Sequence, residues 1–232
     1  MPVLSWKLSN FTQSTLTAMK DLSDYRKSYE KSELLEQNLT EDPINLFHRW
    51  FYEMEEFSTT EEVNAMTVST IGSDGFPKSR VVLLKKFNEE GFIFYTNYQS
   101  EKGKAILNNP NICLSFFWHS MERQVIIKGI AEKTSETVSD NYFDSRPDGS
   151  KLGAIVSAQS EVIPSRAYLD EKLKELEKTF EGKPIPRPEY WGGFLVRPVE
   201  VEFWQGRPNR LHDRIRYKLS EDYNWQIDRL SP

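Results

Sequence analysis

Apolar residues recur along this chain with two different periods. After Asp42-Pro43, the residues Leu46, Phe47, Trp50, Phe51 and Met54 fall at helical spacing. This predicts a helix that opens on an Asp cap, takes Pro at its first position and buries that stripe as core. From Ala65 the period shortens to runs rich in Val, Ile, Thr and aromatics, separated by turn residues, which is the signature of antiparallel strands. The predicted strands are Ala65–Ile71, Ser79–Lys85, Phe92–Asn97, Ile112–Trp118 and Arg123–Glu132. Asp74-Gly75 followed by Pro77, and Asn88-Glu89-Glu90-Gly91, supply two hairpin turns. Ser100–Asn108, capped by Ser100, predicts a short helix, and Ser135–Phe143 and Ser165–Phe180 predict two more. Past the Pro-rich link Lys183–Pro188, further strands are expected at Gly193–Val196, Glu200–Trp204, Arg214–Leu219 and Trp225–Leu230.

Eight or nine short strands with only a few helices predict a mainly β fold: a closed or nearly closed antiparallel barrel with flanking helices, since closure removes vulnerable edges. Residues 1–30 are polar and weakly patterned and read as an N-terminal arm, leaving residues 31–232 as a single domain. A length of 232 residues allows one full-sized core. The formal charge of -5 excludes a domain-wide basic field, so no nucleic-acid partner is expected. No apolar stretch approaches the roughly 18 residues of a membrane-spanning helix, and Met1–Lys20 has no continuous apolar run typical of a secretory signal. A single cysteine, Cys113, excludes an internal disulfide framework, and three scattered histidines, His48, His119 and His212, form no recognisable metal motif. A cytoplasmic protein without a metal site or membrane partner is expected.

Candidate chemistry gathers in a few places. Arg80 and Lys85 bracket the apolar run Val81-Val82-Leu83-Leu84. On a regular strand, residues five apart face opposite sides, so the two cations would serve two different anions or act as solvated caps. Ser100-Glu101-Lys102-Gly103-Lys104 places lysines at a helix start, where free N–H groups and the dipole suit phosphate. Arg146-Pro147-Asp148-Gly149-Ser150, soon after Tyr142, reads as a turn that could form a second anion pocket or simply cap itself. If Arg210-Leu211-His212-Asp213-Arg214 is extended, Arg210, His212 and Arg214 share one side. Such a cluster would need an anionic or polar ligand, unless it is a run of solvated charges.

Several of these segments, taken in order, resemble one family. They are Arg80-Val-Val-Leu-Leu-Lys85, Phe94-Tyr95-Thr96-Asn97, Glu122-Arg123-Gln124-Val125, Tyr142-Phe-Asp-Ser-Arg146-Pro147, Gln159-Ser160, Trp191-Gly-Gly, Glu202-Phe-Trp-Gln-Gly206 and Arg210-Leu-His-Asp-Arg214. Together they resemble pyridoxine 5'-phosphate oxidase, from about Arg26 to the C-terminus. The resemblance implies an FMN-binding split barrel that acts as a homodimer, with FMN in clefts at the subunit interface. It also implies oxidation of pyridoxine 5'-phosphate or pyridoxamine 5'-phosphate to pyridoxal 5'-phosphate, with O2 as acceptor, H2O2 as by-product and NH3 released from the amine.

By matching motif, the resemblance places Arg80 and Lys102 on the FMN phosphate. The run Val81, Val82, Leu83, Leu84 and Lys85, together with Tyr95, Thr96, Gln124, Gln159, Ser160, Trp204 and Arg214, completes the FMN site. Lys85, Tyr142, Arg146 and Ser150 match the substrate-phosphate pocket. Arg210 and His212 match catalytic residues beside the substrate ring, and Arg26 and Tyr29 match a segment that closes over the ligand. Two positions depart from the pattern: Glu101 stands where the family commonly has Arg, so one FMN-phosphate contact is expected to be missing, and Asp144 stands where it commonly has His. Two alternatives stand beside this reading: a non-catalytic carrier of FMN or pyridoxal phosphate, and another flavin oxidoreductase on the same barrel.

Overall fold

Residue alternation sets the faces of the sheet. In β1 (Ala65–Ile71) Met66, Val68 and Thr70 are buried, and in β5 (Asn111–Trp118) Ile112, Leu114, Phe116 and Trp118 repeat the pattern. Strands place successive side chains on opposite faces, so each presents one apolar side inward. The computed structural model describes residues 20–232, so most of the expected N-terminal arm, residues 1–19, lies outside the described residues.

The other strands are β2 (Pro77–Leu83), β3 (Lys86–Asn88), β4 (Gly91–Asn97), β6 (Arg123–Lys133), β7 (Trp191–Gln205), β8 (Asp213–Leu219) and β9 (Trp225–Arg229). They form a nine-stranded antiparallel sheet ordered β2-β1-β5-β6-β7-β4-β3, with β8 on β7 and β9 on β8. β7 organises this branching: its first half pairs with β4, its second half with β8, and β6 runs along both. Two separate strands were expected here, and the structure corrects this to one. Lys128 opposes Glu200 while Gly129 opposes Pro198, so Val199 is an extra residue in a bulge. That bulge admits the proline and bends the strand without ending it. A side chain at Gly129 would come within 2.6 Å of the Arg197 carbonyl oxygen, so only glycine fits opposite the bend.

Past the end of β2, the Leu84 N–H donates to the Asn64 carbonyl and the Lys85 N–H to the Ile93 carbonyl, curling the sheet toward β4. α1 (Pro43–Phe57) fills the resulting half-barrel. Asp42 caps it through the Ile44 N–H at 2.7 Å, as expected. Phe47 is fully buried, with its ring edge-on to Phe87, Phe92 and Phe116 at 5.0–5.1 Å.

α2 (Glu101–Asn108), α3 (Glu136–Asp144) and α5 (Arg166–Thr179) lie where helices were predicted, with Ser100, Ser135 and Ser165 as caps. α4 (Asp148–Val156) was not predicted. It holds Gly149 and Gly153 and buries only Leu152, so it leaves almost no helical period to read. Phe143, Leu152, Ile185 and Trp191 form a second apolar cluster between these helices and the sheet, with Tyr95, Leu173, Leu176 and Phe180 packed against it. Among the described residues no helix is long and apolar enough to cross a membrane.

Candidate functional site

A cavity of about 690 Å³ opens between the end of β2, β4, α2 and the second apolar cluster. It is lined by Val81, Val82, Leu83, Lys85, Tyr95, Thr96, Lys102, Tyr142, Arg146, Ser150 and Gln159, all of them sequence candidates, and also by Asn97, Pro147, Gly153, Ala154, Ser157 and Trp191.

The chain builds one wall from the start of α2. The Ser100 hydroxyl caps the helix by accepting from the Gly103 N–H at 3.2 Å. A side chain at Gly103 would fall 2.3 Å from the Tyr98 carbonyl oxygen, so glycine lets the helix start close to β4. Lys102 is thereby buried, with its ammonium 3.2 Å from Thr96 Oγ1 and 3.1 Å from Gln159 Oε1. Both partners are neutral oxygens. Burial first, then the nearby Arg80, pushes the Lys102 pKa down to about 8, against a smaller opposing effect of Glu101. Arg80 lies just outside the lining and donates to Thr70 Oγ1 at 2.8 Å.

Another part of the lining is aromatic and cationic. Tyr95 and Tyr142 stack with centroids 3.8 Å apart, and both rings lie nearly parallel to Trp191. The Arg146 guanidinium sits over the Trp191 ring at 4.6 Å. Among the described residues, Tyr95 Oη and Arg146 Nη1 are buried without a hydrogen-bond partner, and burial pushes the Tyr95 phenol up to about 12. Buried polar groups are normally paired. Two orphaned donors that share a cavity with a lysine held by neutral oxygens therefore fit a ligand rich in anionic oxygen, such as a phosphate ester.

The structure does not bring all the predicted residues together. Tyr29, Gln124, Trp204, Arg210, His212 and Arg214 do not line this cavity. Several of them form a second group: Trp204 and His212 have ring centroids 4.6 Å apart, Tyr29 is 5.8 Å from Trp204 and 5.9 Å from His212, and Gln124 pairs with Trp204 across β6 and β7. His212 Nδ1 accepts from the Arg207 N–H at 3.1 Å, which puts the neutral ring's proton on Nε2. Burial and then Arg210 lower its pKa, partly opposed by Asp213. Arg26 is exposed, and its Nε donates to the Ser23 carbonyl at 3.1 Å.

Four readings are corrected by geometry. Arg210, His212 and Arg214 do not share one side of a strand, because Arg210 has φ 60° at the end of a short 3₁₀ turn and β8 begins at Asp213. Arg214 is not an unpaired member of a cation cluster, since Glu202 takes it in a two-pronged ion pair at 2.7 and 3.1 Å. The segment Asp148-Gly149-Ser150 is the first turn of α4 and not a loop turn. Lys85 lies beyond the end of β2, so its separation from Arg80 reflects the chain's exit from the strand and not strand alternation.

Some candidates serve the frame of the site. Leu84 is buried in the core. Ser160, at φ 76°, accepts the Glu101 N–H at 3.3 Å. Glu101 is paired with Lys78 of β2 and also acts electrostatically on Arg80 and Lys102. Asp144 is exposed at the end of α3. Trp191 belongs to the Trp191-Gly-Gly motif, and its place as an aromatic floor has no separate signal in the sequence.

Similarity to known proteins extends over most of the chain. A family model described as pyridoxamine 5'-phosphate oxidase matches residues 53–180. One described as the pyridoxine 5'-phosphate oxidase C-terminal dimerisation region matches residues 191–232. A pyridoxine/pyridoxamine 5'-phosphate oxidase of Flavobacterium johnsoniae is 78% identical over 213 residues, covering 92% of this chain and 100% of the relative. One of a Nostoc species is 48% identical, covering 92% and 99%. The crystal structure of PhzG from Burkholderia lata, in complex with tetrahydrophenazine-1-carboxylic acid, matches with a TM-score of 0.81 at 27% identity, over 88% of this chain and 100% of that one. An FMN-binding, pyridoxamine 5'-phosphate oxidase-related protein from Nostoc punctiforme matches in fold, with a TM-score of 0.65 at 14% identity, over 84% and 100%. The antiparallel split-barrel class expected from the sequence is thus the observed one.

Proposed function

The chain belongs to the pyridoxamine 5'-phosphate oxidase family, and on that premise we propose that it oxidises pyridoxine 5'-phosphate or pyridoxamine 5'-phosphate to pyridoxal 5'-phosphate. With FMN as cofactor, the alcohol and O2 give the aldehyde and H2O2; the amine, O2 and water give the aldehyde, H2O2 and NH3. FMN, when bound, supplies the two-electron oxidation and the passage of electrons to oxygen.

The observation that carries this reading is the meeting of two anion-binding groups in one cavity: Lys102 with Thr96 and Gln159, and Lys85 with Tyr142, Arg146 and Ser150. Two phosphate esters need two clamps. Lys102 and the adjacent Arg80 hold the FMN phosphate, and Lys85, Arg146, Tyr142 and Ser150 hold that of the substrate. Tyr95, neutral at any physiological pH, donates its unpaired O–H into the site. Anchoring each ring by its phosphate fixes their mutual orientation and removes most of the entropy cost of the encounter.

The second group, with Trp204, Arg210, His212 and Arg214, falls within the region matched as a dimerisation region. In a homodimer this group completes the cavity of the partner copy, Arg210 orients the substrate ring, and the Nε2–H of His212 donates to it. The N-terminal segment with Arg26 and Tyr29 covers the ligand, and the enzyme works in the cytoplasm. Oxidation of another ring substrate on the same barrel is the second reading, favoured by the likeness to PhzG.

An aerobic assay of the FMN-supplemented protein tests the proposal by following pyridoxal phosphate and H2O2 together. Equal amounts of both, with either substrate, support it. Bound FMN with neither product from either substrate overturns it in favour of the second reading or a carrier role.

A further inference from the structure

Glu122 is a buried acid to which the reaction above assigns no part. It is 2% exposed, and it holds a left-handed backbone conformation, φ 56° and ψ 41°, at the entry to β6. That conformation is uncommon for a residue with a side chain and needs compensating contacts. The contacts are visible. Glu122 Oε2 accepts the main-chain N–H groups of Glu30 at 2.9 Å and Lys31 at 3.1 Å, and Lys27 approaches Oε1 at 3.9 Å. On its other side, the Glu122 carbonyl accepts the Gly206 N–H at 2.8 Å.

One residue therefore ties the strap around residues 27–31 to the end of β7. Tyr29 lies between these two attachments. Its ring rests directly on Gly206, where any Cβ would come within 2.8 Å of Tyr29 Cβ and Cγ, and it meets Trp204 and His212. A carboxylate gripping two consecutive N–H groups fixes the strap's register, which an apolar contact alone would not.

We propose that Glu122 is a positioning residue: its carboxylate latches the strap so that Tyr29 is held against Trp204 and His212 as part of the substrate wall. This rests on the reading of Trp204 and His212 as substrate-facing. Because the latch acts on binding and not on the reacting atoms, its loss raises KM and leaves kcat nearly intact.

The test uses FMN-loaded protein with Glu122→Ala, Glu122→Gln and Tyr29→Ala. Two readouts are taken: steady-state kinetics with pyridoxine 5'-phosphate, and the rate of tryptic cleavage after Lys31, which follows opening of the strap whether or not the protein turns over. Expected are cleavage about tenfold faster and KM about tenfold higher for Glu122→Ala, with kcat within about twofold of wild type. Glu122→Gln keeps an acceptor for both N–H groups and recovers most of each loss. Tyr29→Ala reproduces the KM rise, and combining it with Glu122→Ala adds little more. Unchanged strap protection in Glu122→Ala overturns the latch. Strap release without a KM change, or a fall in kcat and Tm at constant KM, overturns the positioning role and leaves the oxidase reading standing. If wild type itself does not turn over, that reading fails, while the cleavage rates still decide the latch.

Discussion

The ammonium of Lys102 lies 3.1 Å from the side-chain oxygen of Gln159, across 57 residues of sequence, and Thr96 supplies its other neutral partner. No carboxylate pairs with Lys102 among the described ion pairs. A lysine buried in this way loses its charge above about pH 8, and an arriving anion holds that charge to higher pH.

The pH dependence of cofactor binding follows. Lys102 is charged below about pH 8 in the free protein, and a bound phosphate raises that pKa. FMN affinity, read by quenching of flavin fluorescence, is therefore constant between pH 7 and about 8 and falls above it, approaching tenfold per pH unit. In Lys102→Arg the alkaline fall disappears, because a guanidinium stays charged throughout. An affinity indifferent to pH between 7 and 10 in wild type would show that Lys102 does not meet the phosphate.

Lys85 and Arg146 are assigned to the other phosphate. Charge-assisted hydrogen bonds contribute about 1.5–3 kcal/mol each, so Lys85→Ala and Arg146→Ala should each raise KM by roughly 10- to 100-fold. FMN content, measured by absorbance after gel filtration, stays stoichiometric in both. Loss of flavin in Arg146→Ala would move that residue to the cofactor site.

His212 has its pKa lowered by burial and by Arg210, and Nδ1 is already occupied by the Arg207 N–H. Its imidazole is therefore neutral at pH 7 and becomes charged only on acidification below its ordinary value near 6.5. The kcat/KM profile should be flat from pH 8 to 6.5 and decline only below that. Protonation there displaces the Arg207 N–H from Nδ1. A decline already centred at pH 7 or above would contradict the neutral role.

The barrel depends on its plug. Phe47 is fully buried amid Phe87, Phe92 and Phe116, so Phe47→Ala should cost about 3–5 kcal/mol of stability in denaturant unfolding. A cost under 1 kcal/mol would mean that α1 is dispensable to the core.

Much of this was legible in the residues themselves. The stripe from Leu46 to Met54 and the alternation in β1 and β5 reflect burial on one face, and both elements lie where the period places them. α4 escaped because two glycines and a single buried leucine carry no period. β7 read as two strands because Pro198 and the Val199 bulge interrupt its alternation, although the pairing with β6 continues on both sides. The hardest features were backbone ones. Glu122, Asn209 and Arg210 adopt positive φ without being glycine. Tertiary contacts impose that choice, so no local pattern announces where Arg210 turns or why Glu122 faces the strap. Motif resemblance gathers the site residues, but only the fold separates them into a cavity group and a Trp204–His212 group.

That division can be tested by subunit complementation. With substrate held well below KM, Arg146→Ala disables the cavity and Arg210→Ala the second group, so each variant alone should be nearly inactive under these conditions. When the two are mixed and allowed to exchange subunits, half of the dimers are mixed and one of their two sites is intact. Pyridoxal phosphate formation should then rise to about a quarter of wild type. No recovery in a mixture whose exchange is verified by native mass spectrometry would contradict the shared site and place both groups on the same chain's substrate.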